Sequence, residues 1–154
     1  MIRARWRAVV LMVPAGVGVA LVTTLGAHGA VGPSQIRITD VQVSYHLVRP
    51  PNGAAPGTVE VITQQLYNPS LSRNPIGRSV LTCTFVDTRN RTCVATYLLP
   101  KGALVATGAV QSRLFFEIPV VGGTGLYDNA RGTLTVTATH FRPRHEVLLF
   151  RLVG

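Results

Sequence analysis

The stretch Val120-Val-Gly-Gly-Thr-Gly-Leu-Tyr-Asp-Asn-Ala-Arg-Gly-Thr-Leu134 decides how the chain is read. An apolar run, Phe115 to Val121, enters it, and an alternating run, Leu134 to His140, leaves it. Gly122, Gly123, Gly125 and Gly132 form a structural turn set, because a residue without Cβ can take positive φ or let another strand approach closely. A phosphate-binding loop is the competing meaning of such a cluster, and it fails here. Counted from Gly123, the third position is Gly125 but the sixth is Asp128, and no Gly-Lys-Ser/Thr is present. Thr133-Leu-Thr-Val-Thr-Ala-Thr139 then alternates and is β-branched, where a nucleotide fingerprint needs a helix. The stretch therefore reads as strand, turn, short loop, strand.

Working outward, the same alternation recurs. Strands are expected over Ile36–Leu47 (with a phase change near Thr39-Asp40 that suggests a bulge), Thr58–Tyr67, Ser79–Val86, Cys93–Leu99, Leu104–Val110, Leu114–Val121, Thr133–Phe141 and His145–Val153. Between them lie Pro/Gly-rich or polar connections, among them Arg49–Gly57, Asn68–Gly77, Asp87–Thr92 and Pro100-Lys-Gly102. Short alternating strands with no convincing helix favour an all-β fold, a closed eight-stranded antiparallel barrel, with a sandwich as the alternative. A barrel of that size is either filled by side chains or holds one small ligand.

Residues 1–29 read as a secretory signal: Arg3, Arg5 and Arg7, an uncharged apolar run from Ala8 to Leu25, then small residues at Ala27-His-Gly29. The run approaches the ~20 residues that span a bilayer, so an uncleaved N-terminal membrane anchor is the alternative. Both place residues 30–154, one barrel domain, outside the cytoplasm. Export bears on the cysteines. Cys83 and Cys93 face each other across a hairpin if its turn centres near Thr88, and an oxidising compartment then favours a disulfide. Two reduced, buried cysteines are the alternative. Two cysteines with no nearby His make no zinc set.

The chain carries 15 Lys and Arg, all but Lys101 being Arg, against six acids, for a net charge of +9. The arginines fall in many different segments, which suits a basic surface better than the concentrated charge and exposed aromatics of a nucleic-acid site. No nucleic-acid partner is expected.

The hairpin, the Leu99-Pro-Lys-Gly102 turn, Gly108, Val121-Gly-Gly-Thr-Gly-Leu-Tyr127 and Asn129-Ala-Arg-Gly132 occur in an order that resembles the allene oxide cyclase and dirigent superfamily. The likeness is greatest to secreted, bacterial dirigent-like members and spans about Gly77 to Val153. It implies a calycin-like barrel with an internal hydrophobic cavity for a small lipophilic or phenolic ligand, no metal and no cofactor. It also implies a homotrimer, as in the plant relatives. The implied chemistry is cyclisation or isomerisation by holding a reactive chain in the ring-forming conformer. A non-catalytic secreted or envelope-associated interaction module on the same barrel is the alternative.

Dirigent proteins commonly place an acid directly after Gly-Gly-Thr-Gly. Leu126 stands there in this chain, Asp128 is the nearby acid, and Arg131 keeps the arginine of the Ala-Arg-Gly segment. The candidate catalytic residues are thus Glu60, Asp128 and Arg131. Glu60 either points into the barrel, where desolvation would suit it to acid/base work, or occupies the solvent side of its strand. Asp128 and Arg131, three residues apart, are expected to pair at the barrel mouth or as a local clasp. Tyr127 is a candidate ligand contact or a cap on the barrel end. His140 shares the parity of its strand's apolar face and is the other candidate ligand contact. Glu117 is expected to pair with an arginine.

Overall fold

The computed structural model describes residues 33–51, 56–69 and 74–153, so the signal or anchor segment expected over residues 1–29 lies outside the described residues. Eight strands run in chain order: β1 (Gln35–Val48), β2 (Val59–Tyr67), β3 (Gly77–Phe85), β4 (Arg91–Leu99), β5 (Gly102–Val110), β6 (Phe115–Gly123), β7 (Arg131–Phe141) and β8 (Arg144–Val153). Each pairs antiparallel with the next, and β8 pairs with β1, closing the barrel expected from the alternation. Closure leaves no sheet edge to template unwanted pairing.

Alternation fixes which side chains enter. Ile38, Ile62, Leu66, Leu81, Leu104, Ile118, Val120, Leu134, Val136, Leu148 and Phe150 are all buried in one apolar core. The Tyr97 ring meets Phe150 edge to face, with centroids 5.0 Å apart, a favoured geometry for aromatic quadrupoles. Cys83 and Cys93 pair directly across β3 and β4 and form a disulfide that points into this core. Replacing both cysteines by Ala is expected to lower stability by about 2–4 kcal/mol, because the bridge restricts the unfolded chain. Urea unfolding of the oxidised protein and of the double variant would check this, and equal midpoints would refute it.

The Gly-Gly-Thr-Gly turn docks on the β4–β5 turn. Thr124 N donates to Ala103 O and Leu126 N to Lys101 O. Gly125 there has φ +63, and Gly132, with φ +143, lies against the Arg151 carbonyl with no room for a Cβ. Gly123 likewise has the Tyr127 carbonyl where a Cβ would stand. Gly122 departs from the expectation: it has neither a positive φ nor a crowding neighbour.

The irregularity of β1 sits between Gln42 and Ser44, not near Thr39-Asp40. Ile38, Asp40 and Gln42 therefore keep one inward phase, and the bulge falls where β1 runs on past the start of β8 and pairs only with β2. A second bulge lies between Ala138 and His140 on β7. β4 also begins earlier than its apolar run, at Arg91 rather than Cys93, because the ladders to Phe85 and Val110 continue that far.

Candidate functional site

The connections β1–β2, β3–β4, β5–β6 and β7–β8 gather at one end of the barrel, and from that end inward polar side chains are buried among the apolar ones. They fall into two linked groups. The deeper one centres on Gln64 of β2. Its Nε2 donates to Asp40 Oδ2 at 2.7 Å and to Glu146 Oε2 at 3.1 Å, while its Oε1 accepts from Ser79 Oγ at 2.9 Å. Asp40, Gln64, Ser79 and Glu146 are all buried. Arg144 closes the group from β8, donating through Nε to Glu146 Oε1 and through Nη2 to the Arg113 carbonyl.

Asp40 is the unusual member. Burial, and then the neighbouring Glu146 carboxylate, push its pKa from 3.8 up to about 9. Desolvation disfavours the charged form, and a like charge disfavours it further. Asp40 is accordingly a neutral acid at neutral pH. One of its oxygens accepts from Gln64, while Oδ1 is buried with no hydrogen-bond partner among the described residues. The Tyr97 hydroxyl is held well above its ordinary value, first by burial and then by Asp40 and Glu146. A protonated carboxyl and a protonated phenol are thus buried near one another in the barrel interior.

The second group lies nearer the mouth. Glu60 accepts from Arg113 Nη1 at 2.8 Å and from Arg91 Nη1 at 3.4 Å, and Arg113 also reaches Gln42 Oε1 at 3.4 Å. Tyr45 lies under the Arg113 guanidinium at 5.8 Å, and Phe85 under that of Arg91 at 5.5 Å, both within cation–π reach. Arg91, Arg113 and Arg144 are therefore not scattered surface charge but part of the barrel's polar interior.

The residues singled out from the sequence do not form one site. Glu60 faces inward with 2 % of its side chain exposed, so its solvent-facing alternative is overturned. Asp128 and Arg131 form no ion pair among the described residues. Asp128 accepts from the Asn129 amide, and Arg131 donates to the Ala130 carbonyl. The short helical turn Gly125–Tyr127, with Asn129 at φ +60, directs these side chains apart and out to solvent at the end opposite the polar cluster. Tyr127 is buried from that same turn and packs on the core as a cap. His140 is exposed, its Nδ1 within 2.8 Å of the Pro143 carbonyl, because the bulge after Ala138 reverses the parity that would have turned it inward. Glu117 meets Arg151 at 3.8 Å on the outer surface.

Asp40, Gln64, Glu146 and Arg91 were missed. The signal was present, since Asp40 shares the phase of Ile36 and Ile38, Gln64 that of Ile62 and Leu66, and Glu146 that of Leu148 and Phe150. Arg91 lay in what reads as a turn.

No protein-family model and no characterised relative matches the sequence. Solved structures do match its fold. Pyocyanin demethylase superposes with a TM-score of 0.66 at 20% identity, over 77% of this chain and 99% of that one. The pterocarpan synthase dirigent protein GePTS1 gives 0.58 at 20% identity over 77% and 81%. The Diels-Alderase AbmU from Streptomyces koyangensis gives 0.56 at 15% identity over 78% and 69%. The closed order of strands and these superpositions together establish that the chain shares the closed eight-stranded antiparallel barrel fold of these proteins, the fold that its glycine turn led us to expect.

Proposed function

We propose that this is an exported barrel that takes up a small lipophilic or phenolic molecule and directs its cyclisation or isomerisation, with Asp40 as the acid at the reacting centre. The observation that carries the reading is the buried, neutral carboxyl of Asp40, whose Oδ1 has no hydrogen-bond partner among the described residues. A carboxylic acid kept neutral by its surroundings can hydrogen-bond to, or protonate, a substrate oxygen as negative charge develops there. If the proton moves, it leaves the Asp40 carboxylate near Arg144 and Arg113, whose charges favour it. Cyclisation and isomerisation conserve atoms, so the lent proton returns to Asp40 Oδ1 when a proton is lost elsewhere on the substrate. The rest of the rate enhancement is conformational: the barrel holds the chain of the substrate in a ring-forming shape.

The fold is shared with proteins described as dirigent proteins and Diels-Alderases, which supports a ring-forming reaction without choosing a substrate. The disulfide inside the barrel supports passage through an oxidising compartment. Native mass spectrometry of the protein recovered from an exporting host tests these points together. The expected result is a chain beginning near Ala30, assembled as a trimer and carrying a small organic molecule. A ligand-free barrel that also fails to take up the neutral fluorophore N-phenylnaphthylamine would sink the lipophile-binding reading, and a chain retaining its first 29 residues would sink cleavage.

A further inference from the structure

The β3–β4 turn is built around Asp87. Its Oδ1 accepts from the backbone amides of Arg89 and Asn90, and its Oδ2 from the Asn90 side chain. An Asp that bonds its own backbone two and three residues on locks a turn in one shape. That shape places Thr88, Arg89, Asn90 and Arg91 beside Gln111 and Ser112 of the β5–β6 turn, with Phe85 in the same lining. Together they line an open cleft of about 520 Å³ at the polar end of the barrel, within the volume range of small-molecule sites.

Arg91 is the unfinished part of this cleft. It is 8 % exposed, yet its one ion pair, to Glu60, is long at 3.4 Å, and Glu60 is better served by Arg113 at 2.8 Å. Its Nε is buried without a hydrogen-bond partner among the described residues. Buried donors are almost always matched, and an unmatched guanidinium N–H is costly. Burial accordingly holds the Arg91 pKa below its ordinary value. Ion pairing inside the mouth is also unbalanced: Arg91, Arg113 and Arg144 face two carboxylates, Glu60 and Glu146.

We infer that this cleft is a binding site for a monocarboxylate with a planar, apolar body, such as an aromatic acid, whose carboxylate pairs with the Arg91 guanidinium. A carboxylate matches the flat edge of a guanidinium, and the Phe85 face suits a planar body. One additional negative charge balances the cluster, whereas a phosphate dianion would add repulsion from Glu60. Arg89, exposed on the rim, adds attraction for the incoming anion, and the Ser112 hydroxyl accepts from the Leu114 amide and keeps its own proton to donate. The assignment builds on the reading of the barrel as a small-molecule binder by giving the ligand an acidic end.

Calorimetric titration with benzoate, and with benzyl alcohol as its neutral counterpart, tests it. Benzoate is expected to bind, benzyl alcohol to bind at least about tenfold more weakly, and Arg91→Gln to remove at least about tenfold of the benzoate affinity, as befits a charge-assisted pair. Arg151→Gln, a cation on the outer face, is expected to change nothing. Equal binding of acid and alcohol, or full benzoate affinity in Arg91→Gln, would overturn the proposal. Nitrogen-detected NMR of the unaltered protein guards against a misfolded variant: benzoate must shift the Arg91 Nε–H signal, and a titration that leaves it in place rejects the site. Uptake of N-phenylnaphthylamine is measured in parallel, so a barrel that takes the neutral probe but not benzoate refutes this site alone.

Discussion

Asp40→Asn is expected to abolish most turnover while making the protein more stable at pH 8. Removing a positioned general acid costs typically about 10²–10⁴ in rate, and an amide cannot lend a proton. The stability effect follows from the same elevation. Asp40 has a folded pKa of about 9 against an ordinary 3.8, so the folded state binds its proton more tightly than the unfolded chain. Its contribution is complete below pH ~4 and is lost progressively as pH rises toward about 9. An elevation of that size corresponds to several kcal/mol across the window. Asn keeps the shape, can still accept from Gln64, and does not titrate. Urea unfolding at pH 5 and pH 8 should show a stability loss in the native protein that the variant largely lacks. The same loss in both would show that Asp40 is not the titrating group.

Glu60→Leu has the largest expected effect on folding, a loss of about 3–5 kcal/mol. The carboxylate holds two arginines, and removing it leaves Arg91 buried with no ion-pair partner among the described residues. Arg113, with 25 % of its side chain exposed, can turn toward water; Arg91, at 9 %, cannot. The double variant Glu60→Leu/Arg91→Leu should therefore recover most of the loss, because an apolar pair of similar volume replaces a buried ionic one at little cost. Thermal or urea unfolding of the four species of the cycle checks this. Additive losses would mean that the two residues are not coupled. This expectation makes Glu60 the organiser of the mouth, with effects on turnover following from how it holds Arg91 and Arg113.

The sequence by itself determined the barrel. Period-two alternation states which side chains share a face, and glycine and proline punctuation states where strands stop. Those are local properties, so Cys83 could be placed opposite Cys93 and the Gly122–Gly132 turn recognised without any tertiary contact. The same phase rule also held Asp40, Gln64 and Glu146 on inward faces, but alternation alone does not say which of two faces is the inside of a closed surface. Bulges decide that locally, and both were set by the tertiary structure. One falls after Gln42, where β1 outruns β8, and so preserves Asp40 inside. The other falls after Ala138 and turns His140 out to solvent. The pairing of Gln64 with Glu146, 82 residues apart, and of Glu60 with Arg113, 53 apart, likewise has no local signature. Asp40 and Gln64 become neighbours of Glu146 only when β8 closes on β1, and the raised Asp40 pKa is a consequence of that closure.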